Sequence, residues 1–342
     1  MKLKESDVFE MLEAGKSFYT NKEEDGNILT FMDGNLGIDL GDIFIFRPAV
    51  VPDEYVGISV DAVKLHELIK KIDSKEFKLL VKDDVLQIKK GSFLKGKIAK
   101  AADTSAACDE MLERVSKVKW IKLPEEFVEA IGLCSISMGR GTGTEFDFLT
   151  VDGEWIYSSD NMRISRYKLS KALSKKYFMM SGSIATKLAK FKLVKMAIDD
   201  SLLYFQTADG FSITAPRSNM QMLECASFFD YTGKLIKVST RAMQAVDITK
   251  TMLDSEDDRL LAIEVHIGDG VLECKGSGAF GWLTANASYK ELGKKLQREV
   301  TFKINPLFFV KVLSYSKRIK IGADRVGFKI GSFEHLIYLF RG

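Results

Sequence analysis

The sequence repeats itself with a period near one third of its length, and this constrains the fold more than any single motif. Asp-Gly pairs at Asp33-Gly34, Asp152-Gly153 and Asp269-Gly270 stand 119 and 117 residues apart. Each leads into a strand-like run, a turn and a second strand: NLGIDLGDIFIF, EWIYSSDNMRIS and VLECKGSGAFGWLTA. Later in each third an amphipathic helix precedes a three-strand meander, and Phe93, Phe211 and Phe333 follow its last turn at spacings of 118 and 122. Two independent sets of landmarks with one period define a repeated architecture.

Each third also opens on a helical pattern: SDVFEMLEAGK, LPEEFVEAIGL and STRAMQAVDITKTML. Ser6 and Ser239 suit N-caps, and Pro124 and Pro306 suit a first helical turn. The expected class is α+β, with three similar domains at 1–117, 118–232 and 233–342. Each contains two half-modules of a helix plus an antiparallel sheet. The polar stretch ending at Lys119 and the turn-like DYTGK at 230–234 mark the boundaries.

Across 342 residues, 46% hydrophobic and 28% charged, no window is long and apolar enough for a membrane span, and a cytoplasmic location is expected. Cys108, Cys134, Cys225 and Cys274 form no CxxC pair, so buried free thiols are expected. The net charge of +3 says little, but its distribution is uneven. Seven lysines and no carboxylate lie between Lys171 and Lys195, and eight basic residues accompany only Glu299 between Lys294 and Lys320. On the helix from Asp61 to Ile72, Val63, Leu65, Leu68, Ile69 and Ile72 can cover a sheet while Lys64, Lys70 and Lys71 face solvent. Lys187 and Lys190 do the same in the second third, as do Lys311 and Lys317, with Arg318, in the third. Cations recurring on equivalent helices favour repeated phosphate contact, and no base-reading motif accompanies them.

Apparent catalytic motifs fail on context. Gly276-Ser277-Gly278-Ala279-Phe280-Gly281 matches GxGxxG, but a strand follows where a dinucleotide site needs a helix. Gly139-Arg140-Gly141-Thr142-Gly143 lacks the phosphate-loop lysine and reads as a loop, within which Arg140 can reach a phosphate. His66, His266 and His335 fall in separate modules without ligand spacing. Asp83-Asp84 and Asp199-Asp200 occupy equivalent hairpin turns, where aspartate is favoured for capping. The knot Ser158-Ser159-Asp160-Asn161-Met162-Arg163 has an acid and an arginine but no accompanying base. No catalysis, cofactor or metal is expected.

The order and period resemble those of bacterial-type DNA polymerase sliding clamps over essentially the whole chain. VDGEWIYSSDNMRIS is similar to that family's strand-turn-strand ending in Thr-Asp-Gly-His-Arg-Leu-Ala, and HLIYLFRG to its Met-Pro-Met-Arg-Leu type of tail. The resemblance implies a noncatalytic processivity factor: a head-to-tail homodimer closed around double-stranded DNA, sequence-independent, with helices inside and sheets outside. Lys64 and Lys70 match inner-helix cations, while Lys22 and Arg140 fall in loops near the family's DNA contacts. It also implies a peptide pocket for the replicative polymerase and clamp loader. Ser159, Asp160, Asn161, Met162, Arg163 and Ile164 would line it with Leu339, Phe340 and Arg341, joined by Phe228 or Tyr231. Asn161 stands where the family has glycine and Met162 where it has histidine, and the tail lacks proline. A phage replication system with its own polymerase, acting in the host cytoplasm, is one reading of these departures. The competing reading of the same lysines is a sequence-independent DNA-coating protein that forms no closed ring.

Overall fold

The computed structural model describes residues 2–19, 26–72, 77–83, 85–139, 141–218, 220–221, 224–292 and 299–340. Among them are seven α-helices: α1 (Glu5–Lys16), α2 (Ala62–Lys71), α3 (Ser105–Lys117), α4 (Phe127–Cys134), α5 (Gly182–Leu188), α6 (Arg241–Lys250) and α7 (Pro306–Tyr315). The strand pairings seen among the described residues, such as those of Phe44–Pro48 and Arg163–Lys168, are antiparallel, and the chain groups into two compact units, residues 1–129 with 178–219 and residues 130–177 with 220–342. The α+β class expected from the alternating patterns is what forms.

In the first unit the sheet order is Ser59–Asp61, Ile28–Met32, Asn35–Asp39, Phe44–Pro48, Ser212–Pro216, Leu202–Thr207, Leu193–Ile198 and Ile121–Lys122. Its central joint pairs Phe46 with Ser212 and Phe44 with Thr214, strands remote in sequence. A separate sheet holds Lys78–Lys82, Val85–Lys90 and Leu94–Ile98. Helices α1 and α2 pack together, burying Val8, Met11 and Leu12 of the first and Leu65 and Ile69 of the second. Asp61 caps α2 by accepting the Lys64 N–H at 2.9 Å.

In the second unit the strands run in the order Phe148–Asp152, Trp155–Ser159, Arg163–Lys168, Phe333–Tyr338, Arg325–Ile330, Arg318–Ile321, Lys234–Val238, Gly281–Glu291, Val271–Gly278, Ile263–Gly268 and Val300–Ile304. Here too a joint links distant segments, with Arg163 opposite Ile337 and Tyr167 opposite Phe333. Asn305 caps α7 by accepting the N–H groups of Leu307 and Phe308, with Pro306 in its first turn as expected. The GSGAFG run is a hairpin, Gly278 opposite Gly281, and no helix follows it.

Several local expectations change. Ser6 lies inside α1, whose cap position is Lys4, and Thr240 rather than Ser239 precedes α6. Helix α4 begins at Phe127, three residues beyond Pro124. The polar stretch before Lys119 contains α3, buried through Cys108 and Val115 in a cluster with Met32, Phe46, Ala197 and Tyr204. The three period-marking phenylalanines differ in environment: Phe93 is 84% exposed, whereas Phe211 and Phe333 are buried. All four cysteines are buried free thiols, as expected. Burial pushes Cys108 and Cys225 up to about 11 and Cys274 up to about 12. Asp199 is a turn cap, accepting the N–H groups of Ser201 at 2.8 Å and Leu202 at 2.7 Å. Asp84 lies outside the described residues.

Candidate functional site

The polar knot forms a tight turn between the strands Trp155–Ser159 and Arg163–Lys168, closed by Ser159 opposite Ile164. Asn161 supplies the left-handed residue with φ of 69°, a conformation that asparagine tolerates better than most side chains. One Asp160 oxygen accepts the Met162 and Arg163 N–H groups at 3.1 and 2.7 Å. The other takes two contacts from the Arg163 guanidinium, at 2.8 Å from Nε and 2.6 Å from a terminal nitrogen. The guanidinium lies 3.9 Å from the Phe308 ring centre on α7. Acid and base are therefore consumed by each other and by the turn. Ser159 and Ile164 are buried beneath it, leaving Asn161 and Met162 nearer the surface.

The C-terminal strand completes this corner. Tyr338 donates its N–H to the Met162 carbonyl at 2.9 Å, and Ile164 lies opposite Leu336. Tyr157, Ile164, Cys225, Phe229 and Leu336 form the floor, with Trp155, Tyr231 and Tyr338 packed half-buried around it. Phe228 meets Tyr338 edge-on at 6.1 Å. Gly322 and Gly327 leave room for Tyr231, since a Cβ would come within 2.7 Å of its ring at the first and 2.9 Å of its hydroxyl at the second. Beyond Tyr338, Leu339 and Phe340 donate N–H groups to Asp324 and Lys303 at 2.9 and 3.0 Å. They border an adjoining pocket of about 480 Å³ that also reaches Glu264 and Phe302. Arg341 lies outside the described residues.

Tyr338 is thus the tail residue that touches the turn, Phe228 meets Tyr338, and Tyr231 and Tyr338 both stand near Arg325, whereas Leu339 and Phe340 border the adjoining pocket. The walls include groups that the motif reading missed. Arg166 sits 4.7 Å from the Trp155 ring and 4.1 Å from Phe229, paired with Glu334 at 3.0 Å. Arg325 donates to the Phe228 carbonyl at 2.7 Å and stands 5.2 Å from the Tyr338 ring. The alternation of Trp155, Tyr157 and the opposing Arg166 along the hairpin is the signal that places them on one face. Beneath the corner, His335 Nδ1 contacts Ser165 and Ser137 hydroxyls at 2.8 and 3.2 Å. Burial, with Arg163 adding to it, pushes His335 down to about 3, so it stays neutral near pH 7. A closed, neutral Ser–Ser–His cluster stabilises packing.

The candidate cations divide by environment. Lys64, Lys70 and Lys71 are exposed on α2, but Lys64 pairs with Asp61 at 3.3 Å and Lys70 with Glu13 at 2.9 Å. Glu13 also meets His66 at 2.6 Å. Lys187 departs from the expected solvent position: it is half-buried, 5.6 Å from the Phe18 ring, and burial together with Lys190 holds it below the usual lysine range. Lys190, Lys311 and Lys317 are exposed, Lys311 standing 5.2 Å from the Tyr315 ring. Lys22 and Arg140 lie outside the described residues. Among the described residues no group of three metal-ligating side chains occurs, and no helix is long and apolar enough to cross a membrane.

By sequence, the chain matches no family model and no curated protein. By structure, it has the fold of bacterial DNA polymerase sliding clamps. The DNA polymerase III subunit beta of Pseudomonas aeruginosa aligns over 99% of this chain and 98% of that one, with a TM-score of 0.78 and 12% identity. The DNA polymerase sliding clamp of Bacillus subtilis aligns over the same shares, 99% and 98%, with a TM-score of 0.78 and 14% identity. A putative DNA polymerase III beta subunit from Eubacterium rectale gives a TM-score of 0.79 at 14% identity, covering 98% and 97%. The fold survives where the sequence has diverged.

Proposed function

We propose that the chain is a sliding clamp, a noncatalytic processivity factor that closes as a head-to-tail homodimer around duplex DNA and tethers the replicative polymerase. The observation that carries this reading is the clamp fold over nearly the full length of both chains. The sequence period adds support: two chains of three similar domains, at 1–117, 118–232 and 233–342, supply six repeats for a ring. Retention then comes from topology, so weak and sequence-blind phosphate contacts suffice. Partial neutralisation of Lys64 and Lys70 by Asp61 and Glu13 suits such contacts, because a ring that grips phosphates tightly cannot slide. Lys71, Lys190, Lys311 and Lys317 are further exposed cations, and Lys22 and Arg140 would add to them.

The corner between the Asp160–Arg163 turn and the Leu339–Phe340 tail is the proposed docking site for a peptide of the polymerase or its loader. Aromatic walls around an apolar floor, rimmed by a few polar groups, suit a short peptide with bulky apolar anchors. Its work would be done in the cytoplasm, at the replication fork. The decisive experiment loads the protein onto nicked circular DNA and then linearises it. The expected result is retention on the circle and loss from the linear form, and equal retention on both refutes the clamp.

A further inference from the structure

Two sheet faces, one in each unit, carry the same pattern of charge. In the first unit Lys78, Lys89 and Lys95 stand directly opposite one another across the strands Lys78–Lys82, Val85–Lys90 and Leu94–Ile98. Strand alternation puts them on the side away from the buried Leu79, Leu86 and Ile88. Lys90, on the inner side, reaches the Ile72 carbonyl just past α2 at 2.5 Å. Lys82 and Lys97 share the outward side, and no carboxylate does within these three strands. In the second unit Lys237 stands opposite Arg318 on one neighbouring strand and Lys290 on the other. Ile236, Val238 and Ile319 are buried on the far side, while Lys237, Lys290 and Arg318 are exposed. Among the described residues, none of the six cations in these two rows is paired with a carboxylate.

Like charges set directly opposite one another on neighbouring strands destabilise a sheet. Lysine on an edge strand guards that edge against other chains. Lys89 and Lys237, however, lie on strands paired on both sides, so edge protection does not account for them. A row of cations kept at this cost in both units points to an anionic partner that neutralises it. Five of the six are lysines, which meet phosphates as point charges. The large apolar side chains exposed beside the rows are single leucines, Leu80 and Leu235, rather than the clustered rings on which a peptide anchors. A polyanion whose charges repeat along its length can meet one pattern twice, whereas a folded partner needs two matching surfaces.

We propose that these two outward sheet faces bind single-stranded DNA through its phosphates, without regard to sequence. This rests on the clamp reading, under which the helices face the enclosed duplex and the sheets face out. A ring at a replication fork has unpaired template beside the duplex that it encloses. The helix-borne cations then serve the duplex, and the sheet-borne rows hold the single strand outside the ring. Neighbouring strands set the cations of each row about 4.8 Å apart, and a flexible single strand can lie across such a flat face.

The test uses circular single-stranded DNA, which has no end to thread through a closed ring, and measures its binding to the full chain at rising salt. Wild type is expected to bind, and the salt slope to fall by about 0.7 for each cation–phosphate contact removed. Lys78→Gln with Lys89→Gln and Lys95→Gln, and separately Lys237→Gln with Lys290→Gln, are each expected to weaken binding about tenfold or more. Retention on nicked duplex circles stays near wild type in both variants. Their urea midpoints stay level or rise, because repulsion is relieved, and a lower midpoint would give the lysines a structural role and overturn the proposal. A wild type that ignores the single-stranded circle, or variants that bind it like wild type, overturn it as well. So does a preference for polyglutamate or for phosphatidylglycerol vesicles, which would assign the faces to an acidic protein or a membrane. Equal retention on linear and circular duplex refutes the clamp whatever these variants do, so the two readings fail separately.

Discussion

Met162 is the residue through which the turn and the tail are tied, its carbonyl bonded to Tyr338 and its side chain half-buried at the corner. A charged group there would be desolvated by any peptide anchored against the aromatic walls. Met162→Asp is therefore expected to cut polymerase stimulation by about tenfold or more, equivalent to ~1.4 kcal/mol of docking energy, with the dimer intact. Loss of the dimer instead would remove Met162 from the docking role. Asp160 and Asn161 were legible as turn formers, because short polar side chains bond their own backbone and tolerate left-handed φ. The stacking of Arg166 between Trp155 and Phe229 was not, since it depends on hairpin register and on a distant segment.

Among the elements, α3 shows where local reading failed. Asp109, Glu110, Glu113, Arg114 and Lys117 give it the composition of a linker, yet Cys108 and Val115, seven residues apart, fall on one helical face. The helix packs on the strands Ile28–Met32, Asn35–Asp39 and Phe44–Pro48. Arg114 reaches Asp199 at 2.7 Å. Burial alone would raise the Asp199 carboxyl, but bonds from Tyr204, the Ser201 N–H and Arg114 outweigh it and hold it well below the usual range. The helix thereby braces the joint made by Phe44–Pro48 and Ser212–Pro216. Val115→Ala is expected to cost roughly 2 kcal/mol through the cavity it leaves, read as a lower urea midpoint with an unchanged slope. An unchanged midpoint would mean that α3 contributes nothing to this core.

For the whole molecule, the proposed function separates retention from affinity. Lys71→Glu with Lys190→Glu is expected to weaken binding to short linear duplexes and to lower the salt slope by about 1 for each lysine–phosphate pair that is removed. Retention on closed circles should stay near wild type, because topology does not depend on those charges. Rapid dissociation of this variant from circles would instead place these lysines in holding DNA directly, as a coating protein would.

The sequence by itself determined the α+β class, the repeat of its landmarks, the turn chemistry and the buried state of the cysteines. Each follows from neighbours in the chain: periodicity decides which face is buried, and turn residues decide where strands reverse. Only the tertiary structure decided which distant strands meet, which lysines are neutralised by acids from another helix, and that Phe93 stays exposed while Phe211 and Phe333 are buried. The strand joints depend on pairings across more than a hundred residues, and the Lys70–Glu13 pair on two helices more than fifty apart. Local propensity carries no record of the partner a strand edge will find.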